Sequence, residues 1–168
     1  MKVSLLALAF ALAFFLPSQA FSQVGATSPQ AQGDERVKQV LDQAKLKYKI
    51  DKDGDFKLEF ELTGDRTQVV FVNSQTEKFG EFEIREIWSV GYVSETPFST
   101  AIANRLLAHN ELTKLGAWQT KKLSGKYVAA FSAKVSATMS PEQLRSALTA
   151  VYRSADEIEK ELTGKDEY

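Results

Sequence analysis

The chain has 168 residues, 43% of them hydrophobic and 26% charged, which is the composition of one globular domain. Lys and Arg number 21 against 22 Asp and Glu, a formal charge of −1 that gives no electrostatic grip on nucleic acid or an anionic membrane. Cysteine is absent and His109 is the single histidine, which excludes a disulfide framework, a thiolate zinc site, an iron–sulfur cluster, a cysteine nucleophile and a two-histidine metal site within the chain.

Lys2, an apolar stretch over 3–16 broken only by Ser4, Pro17, and then Ser18-Gln19-Ala20 have the layout of a secretory signal peptide cut after Ala20. A cut near Ala26 is the alternative. A membrane anchor needs ~20 apolar residues, more than this stretch supplies. Removing residues 1–20 leaves 148 residues with a net charge of −2. A domain of that size buries about 68–70% of its unfolded surface and folds without a disulfide. With no Asn-x-Ser/Thr acceptor present, the expectation is a bacterial periplasmic or secreted protein with no membrane span after cleavage.

Residues 21–33, rich in Gln, Ser, Ala, Gly and Pro, read as a flexible leader. Asp34 caps a helix whose apolar face is Val37, Val40, Leu41 and Ala44. Residues 45–51 and 56–62 alternate strictly, the pattern of two half-buried strands. Pairing with partner numbers that sum to 108 sets Ile50 against Leu58, Tyr48 against Phe60 and Leu46 against Leu62. On the outer face it sets Lys49 against Glu59, Lys47 against Glu61 and Asp51 against Lys57. That parity requires an odd loop of three or five residues around Gly54.

Residues 67–73 and 81–93 read as longer strands, and the unbroken run Val69-Val70-Phe71-Val72 suggests a strand covered on both faces. Thr96-Pro97 opens a helix through about Leu112, with Ile102, Leu106 and Leu107 apolar. Strands at 117–123 and 126–137 join through Ser124-Gly125. In Ser140-Pro141-Glu142-Gln143 a capping hydroxyl, a first-turn proline and a capping-box Gln open the last helix. Its stripe runs Leu144, Leu148, Val151, Ala155, Ile158 and Leu162, until Thr163-Gly164 stops it and 165–168 form a short tail. The order α-β-β-β-β-α-β-β-α predicts an α+β fold, an antiparallel sheet with helices packed on it, as a single domain over 34–164.

Marked chemistry is scarce. Asp51-Lys52-Asp53-Gly54-Asp55 begins like a calcium loop, but Phe56 stands where the loop needs Gly and Leu62 where it needs a bidentate Glu. A hairpin turn accounts for the same residues, with weak surface calcium binding left open. His109 has no marked nucleophile or orienting acid and reads as a structural or surface histidine. Gly125-Lys126 lacks the rest of a phosphate loop, and the Lys45/Lys47/Lys49 row reads as a solvated face paired with Glu59 and Glu61. Asp156 is expected to pair with Lys160, four residues on. Trp88, Tyr92, Phe98, Trp118 and Phe131 concentrate the large rings. Of these, Trp88, Tyr92, Phe98 and Trp118 are the candidate partner-binding residues. No catalytic residue, cofactor or metal site is expected.

Four segments carry a resemblance. The hairpin Tyr48-Lys49-Ile50-Asp51 … Asp53-Gly54-Asp55-Phe56, the helix Arg105-Leu106-Leu107 … Asn110, Leu115-Gly116-Ala117-Trp118, and Ser140-Pro141-Glu142-Gln143-Leu144-Arg145-Ser146-Ala147-Leu148 resemble the YbjN-like family. That family, also called bacterial sensory transduction regulators, shares the type III secretion chaperone-like fold. The resemblance spans roughly Asp34 to Gly164 and implies an antiparallel sheet flanked by three helices, a homodimer, and surfaces suited to polypeptide segments. It supplies no catalytic residues. Secretion chaperones of this fold work in the cytosol, so the export signal argues against that task here. The resulting expectation is an exported, non-catalytic domain that binds a protein or peptide partner. The alternatives are a passive envelope protein, and a hydrolase or metal-dependent enzyme using His109 or the Asp51/Asp53/Asp55 cluster.

Overall fold

A computed structural model describes residues 32–168; the signal peptide expected at 1–20 and most of the leader lie outside the described residues. The element order is α1 (Glu35–Gln43), β1 (Lys49–Ile50), β2 (Phe56–Glu61), β3 (Thr67–Phe79), β4 (Phe82–Ser94), α2 (Thr100–Leu112), β5 (Ala117–Leu123), β6 (Lys126–Ser136) and α3 (Pro141–Thr163). This is the order expected from the sequence. The strands form one antiparallel sheet, β1-β2-β3-β4-β6-β5, so the fold is α+β with a six-stranded sheet and three helices among the described residues.

Register decides which side chains are inside. Phe56, Val72, Ile87 and Ala133 lie side by side across four strands and share one core with Leu41 of α1, Leu106 of α2, and Leu144, Leu148, Val151 and Ile158 of α3. The neighbouring row, Lys57, Phe71, Trp88, Ser132 and Ala117, points the opposite way. All three described helices therefore lie on one face of the sheet, and among the described residues no helix covers the other. This corrects the reading of β3 as covered on both faces. Val70 and Val72 are fully buried under the helices, whereas Val69 and Phe71 are half-buried beneath neighbouring side chains.

The helix ends follow the local chemistry. Asp34 caps α1, its side chain accepting from the Arg36 N–H. Ser140 caps α3 with a complete capping box, and Gly164 closes it in a left-handed conformation at φ +67°. The second helix starts later than expected: Ser99, whose side chain accepts from the Ile102 N–H, displaces Pro97 as the start signal. Ser124 and Gly125 both have positive φ (49° and 84°), the requirement of a two-residue turn whose twist matches the β5–β6 strands.

The first hairpin departs from the expected register. The loop is odd as expected, five residues from Asp51 to Asp55, but Ile50 pairs with Phe56 and Lys49 with Lys57, two residues off the anticipated alignment. The expected pairs of Lys49 with Glu59 and Lys47 with Glu61 do not form among the described residues. Side-chain bonds set the closure. Asp51 accepts the N–H groups of Asp53 and Asp55, and Asp55 accepts the Ser74 N–H from the distant strand β3. Asp156 likewise pairs not with Lys160 but with Arg66, at 2.5 Å. The strand expected over 67–73 runs on to Phe79, because its polar second half pairs with β4 through Phe79 and Phe82 in a projecting hairpin.

Candidate functional site

The four candidate rings do not share one surface. Trp118 lies on the helix side, buried, with its Nε1–H donated to His109 Nδ1 at 3.0 Å and its ring edge-on to Phe131 at 5.4 Å. Tyr92 and Phe98 meet at 5.8 Å on the same side, with Tyr127 beyond Phe98 at 6.4 Å. Trp88 stands on the uncovered face, since its lateral neighbours are Phe71 and Ser132. The structure thus brings Tyr92 and Phe98 together and puts Trp88 and Trp118 on opposite sides of the sheet. A single groove lined by all four is not formed. Strand parity is the cause: Trp118 pairs with inward Phe131, while Trp88 pairs with outward Ser132. His109 is buried by the same packing, as expected of a structural histidine.

The uncovered face carries its own aromatic arrangement. Phe71 and Trp88 stack at 4.6 Å with 18° between their planes, and the Trp88 Nε1–H is donated to Asn73 Oδ1 at 2.9 Å. Lys121 Nζ lies 4.9 Å from the Trp88 ring centroid, within cation–π range. Beyond this stack the same face of β4 carries Glu86 and then Ile84, which pairs with Glu77, before Phe79 and Phe82 pair at the hairpin tip, where they are 78% and 72% exposed. Large apolar side chains left this exposed at one place on a fold mark contact surfaces. Phe71, Phe79 and Phe82 were not singled out from the sequence. The signal that finds them is Phe79-Gly80-Glu81-Phe82, two rings flanking a two-residue turn.

Polar groups flank the stack. Glu86 accepts from Ser132 at 2.5 Å, Gln119 at 2.6 Å and Lys121 at 2.9 Å. Burial alone raises its carboxyl, but the hydrogen bonds from Ser132 and Lys121 outweigh burial and hold it below the usual carboxylate range. Glu86 is therefore a fully engaged carboxylate that anchors Lys121 over the tryptophan, and it is poorly suited to accept a proton.

On the helix side a groove of about 440 Å³ lies between the end of β6 and the start of α3, lined by Leu115, Val135, Met139 and Ala147. In the Asp51–Asp55 loop the Asp51 carboxylate is spent on the loop backbone and that of Asp55 on Ser74, and no group of three metal-ligating side chains converges among the described residues. Compared with models of known protein families and with curated proteins, the chain matches none.

Proposed function

We propose that this chain is an exported, non-catalytic domain of the YbjN-like, type III secretion chaperone-like kind, which binds a polypeptide segment of a partner protein and works as a homodimer. The observation that carries the reading is the uncovered sheet face. The described helices occupy one side, and the other offers two aromatic pairs on one hairpin, the Phe71–Trp88 stack and the exposed Phe79–Phe82 pair, with Glu86 and Ile84 between them. Aromatic rings on a rigid sheet supply contact area at small entropic cost, and binding energy concentrates at such residues. Of the candidate residues, Trp88 belongs to this surface. Tyr92 and Phe98 belong to the helix side, and Trp118 supports the core.

The test is a photo-crosslinking amino acid placed at position 82, at position 88 and, as a control on the helix side, at position 153, in the full chain in its native cells. Crosslinks from 82 and 88 to the same partner polypeptide, absent from 153 and lost on Phe71→Asp, support the reading. Crosslinks confined to a second copy of the chain would leave only the dimer and point to a passive structural protein. Sedimentation of the purified protein measures the dimer directly.

A further inference from the structure

The β3–β4 ladder ends at Val70 and Ser89, where β4 steps at Gly91 and follows β6 instead. The start of β3 thus loses β4 as a ladder partner, keeping only the bonds of Ser89 and Val90 to Val69 and Gln68, and residues 165–168 lie along its free N–H groups. Val69 donates its N–H to the Tyr168 carbonyl at 3.2 Å. The Thr67 N–H is donated to the Asp166 carboxylate at 3.1 Å, and the Thr67 hydroxyl reaches the same group at 3.3 Å. Arg66 donates to the Lys165 carbonyl at 2.6 Å.

The other wall is α3. Glu159, wholly buried, accepts the N–H of Glu167 at 2.5 Å and of Tyr168 at 3.1 Å. Burial raises its carboxyl above the usual range. Arg66 is held in place by Asp156 at 2.5 Å, so the donors and acceptors that meet the segment are fixed by groups outside it. Gln68, between Thr67 and Val69, leaves its buried Oε1 without a partner. The segment itself is mostly exposed. It leaves α3 through Gly164 at φ +67°, Lys165, Asp166 and Glu167 are exposed, and only Tyr168 is half-buried. Burial pushes the Tyr168 hydroxyl up to about 12.

These contacts are the beginnings of strand addition: one main-chain bond to β3, a fixed carboxylate that reads two successive N–H groups, and places for one acidic and one aromatic side chain. We propose that the cleft beside Arg66–Val69 is a binding site for an extended segment of a partner protein carrying an Asp-x-Tyr pattern, and that residues 165–168 occupy it in cis until that partner displaces them. The site is separate from the uncovered sheet face, and neither reading depends on the other.

A tethered occupant competes at millimolar effective concentration, so loosening it exposes the site. The probe is a fluorescein-labelled peptide of residues 163–168, titrated into the full wild-type chain and the full Asp166→Ala/Tyr168→Ala variant. The variant is expected to bind at least tenfold more tightly than wild type, and a peptide with both replacements is expected not to bind. Amide exchange at Thr67 and Val69 should speed up in the variant and slow again with peptide. Phe82→Asp should leave the affinity unchanged, which separates failure of this site from failure of the sheet-face reading. No saturable binding, or equal affinity for the two chains, would overturn the proposal. Concentration-dependent dimerisation of the variant that peptide does not suppress would also overturn it, in favour of tail exchange between copies. If the double variant unfolds, Tyr168→Ala alone carries the same comparison.

Discussion

Gly91 and Trp118 compete for one volume: a Cβ built on Gly91 lies 2.4 Å from Cη2 of the Trp118 ring and 3.2 Å from the Ala155 carbonyl oxygen. The missing side chain lets β4 step against β6 over a buried indole. Gly91→Ala should therefore destabilise by ~1–3 kcal/mol through overpacking. Trp118→Phe should cost ~1–3 kcal/mol, because the His109 Nδ1 loses its donor inside the core. Together they should cost less than the sum, since the smaller ring vacates the space the new methyl needs. Urea unfolding of the four chains checks this, and strict additivity would show that the two residues do not share that space. The sequence separates Trp88 from Trp118 poorly. In Glu86-Ile87-Trp88-Ser89-Val90 both alternating sets hold apolar residues, so neither face is marked as inner, and only pairing with β3 and β6 decides it.

At the scale of elements, legibility followed contiguity. The α3 helix carries its cap, its proline, its stripe and its stop within one stretch of chain, and each is found in place. Ser140→Ala removes the acceptor for the Gln143 N–H and should cost ~1 kcal/mol, read as a lower urea midpoint with an unchanged slope. Ser140→Asp should restore most of it, because a carboxylate at that position caps equally well. The first hairpin was legible in parity but not in register. Its side-chain alternation fixes which residues share a face, whereas the two-residue offset is set by Ser74, which donates to Asp55 and to the Gly54 carbonyl from 19 and 20 residues away. Polar residues 73–78 gave no strand signal for the same reason. Thr76–Lys78 are paired by β4, while 73–75 fall in a break of the β3–β4 register, where Arg85 donates to the Asn73 and Ser74 carbonyls. The candidate site suffered most, because an uncovered sheet face is a property of where three helices settle and not of any one segment.

Over the whole molecule, the helix layer is tied to the sheet at its N-terminal end by charge. Asp34 accepts from buried Arg85 at 2.6 Å and from Arg36, which forks to Glu83 at 2.9 and 3.0 Å. The Arg36 hydrogen bond, then Arg85, hold the Asp34 carboxyl well below the usual carboxylate range, and Arg36 with Thr76 pulls Glu83 down to about 2. Both folded values are depressed, so the stability they contribute is present above the unfolded values of 3.8 and 4.5 and is lost as pH falls through the folded ones. Glu159 and Asp55 act in the opposite sense, since burial raises their carboxyls and favours the folded state as pH falls. Their contribution is common to wild type and Arg36→Ala, so comparing the two chains isolates the tie. Arg36→Ala should be less stable than wild type at pH 6, and the gap between their urea midpoints should narrow from about pH 4.5 downward and be smallest near pH 2. A gap that stays constant over that range would mean that Arg36 acts through packing of its side chain. A gap that closes would identify Asp34 and Glu83 as the groups that fasten α1 to β4.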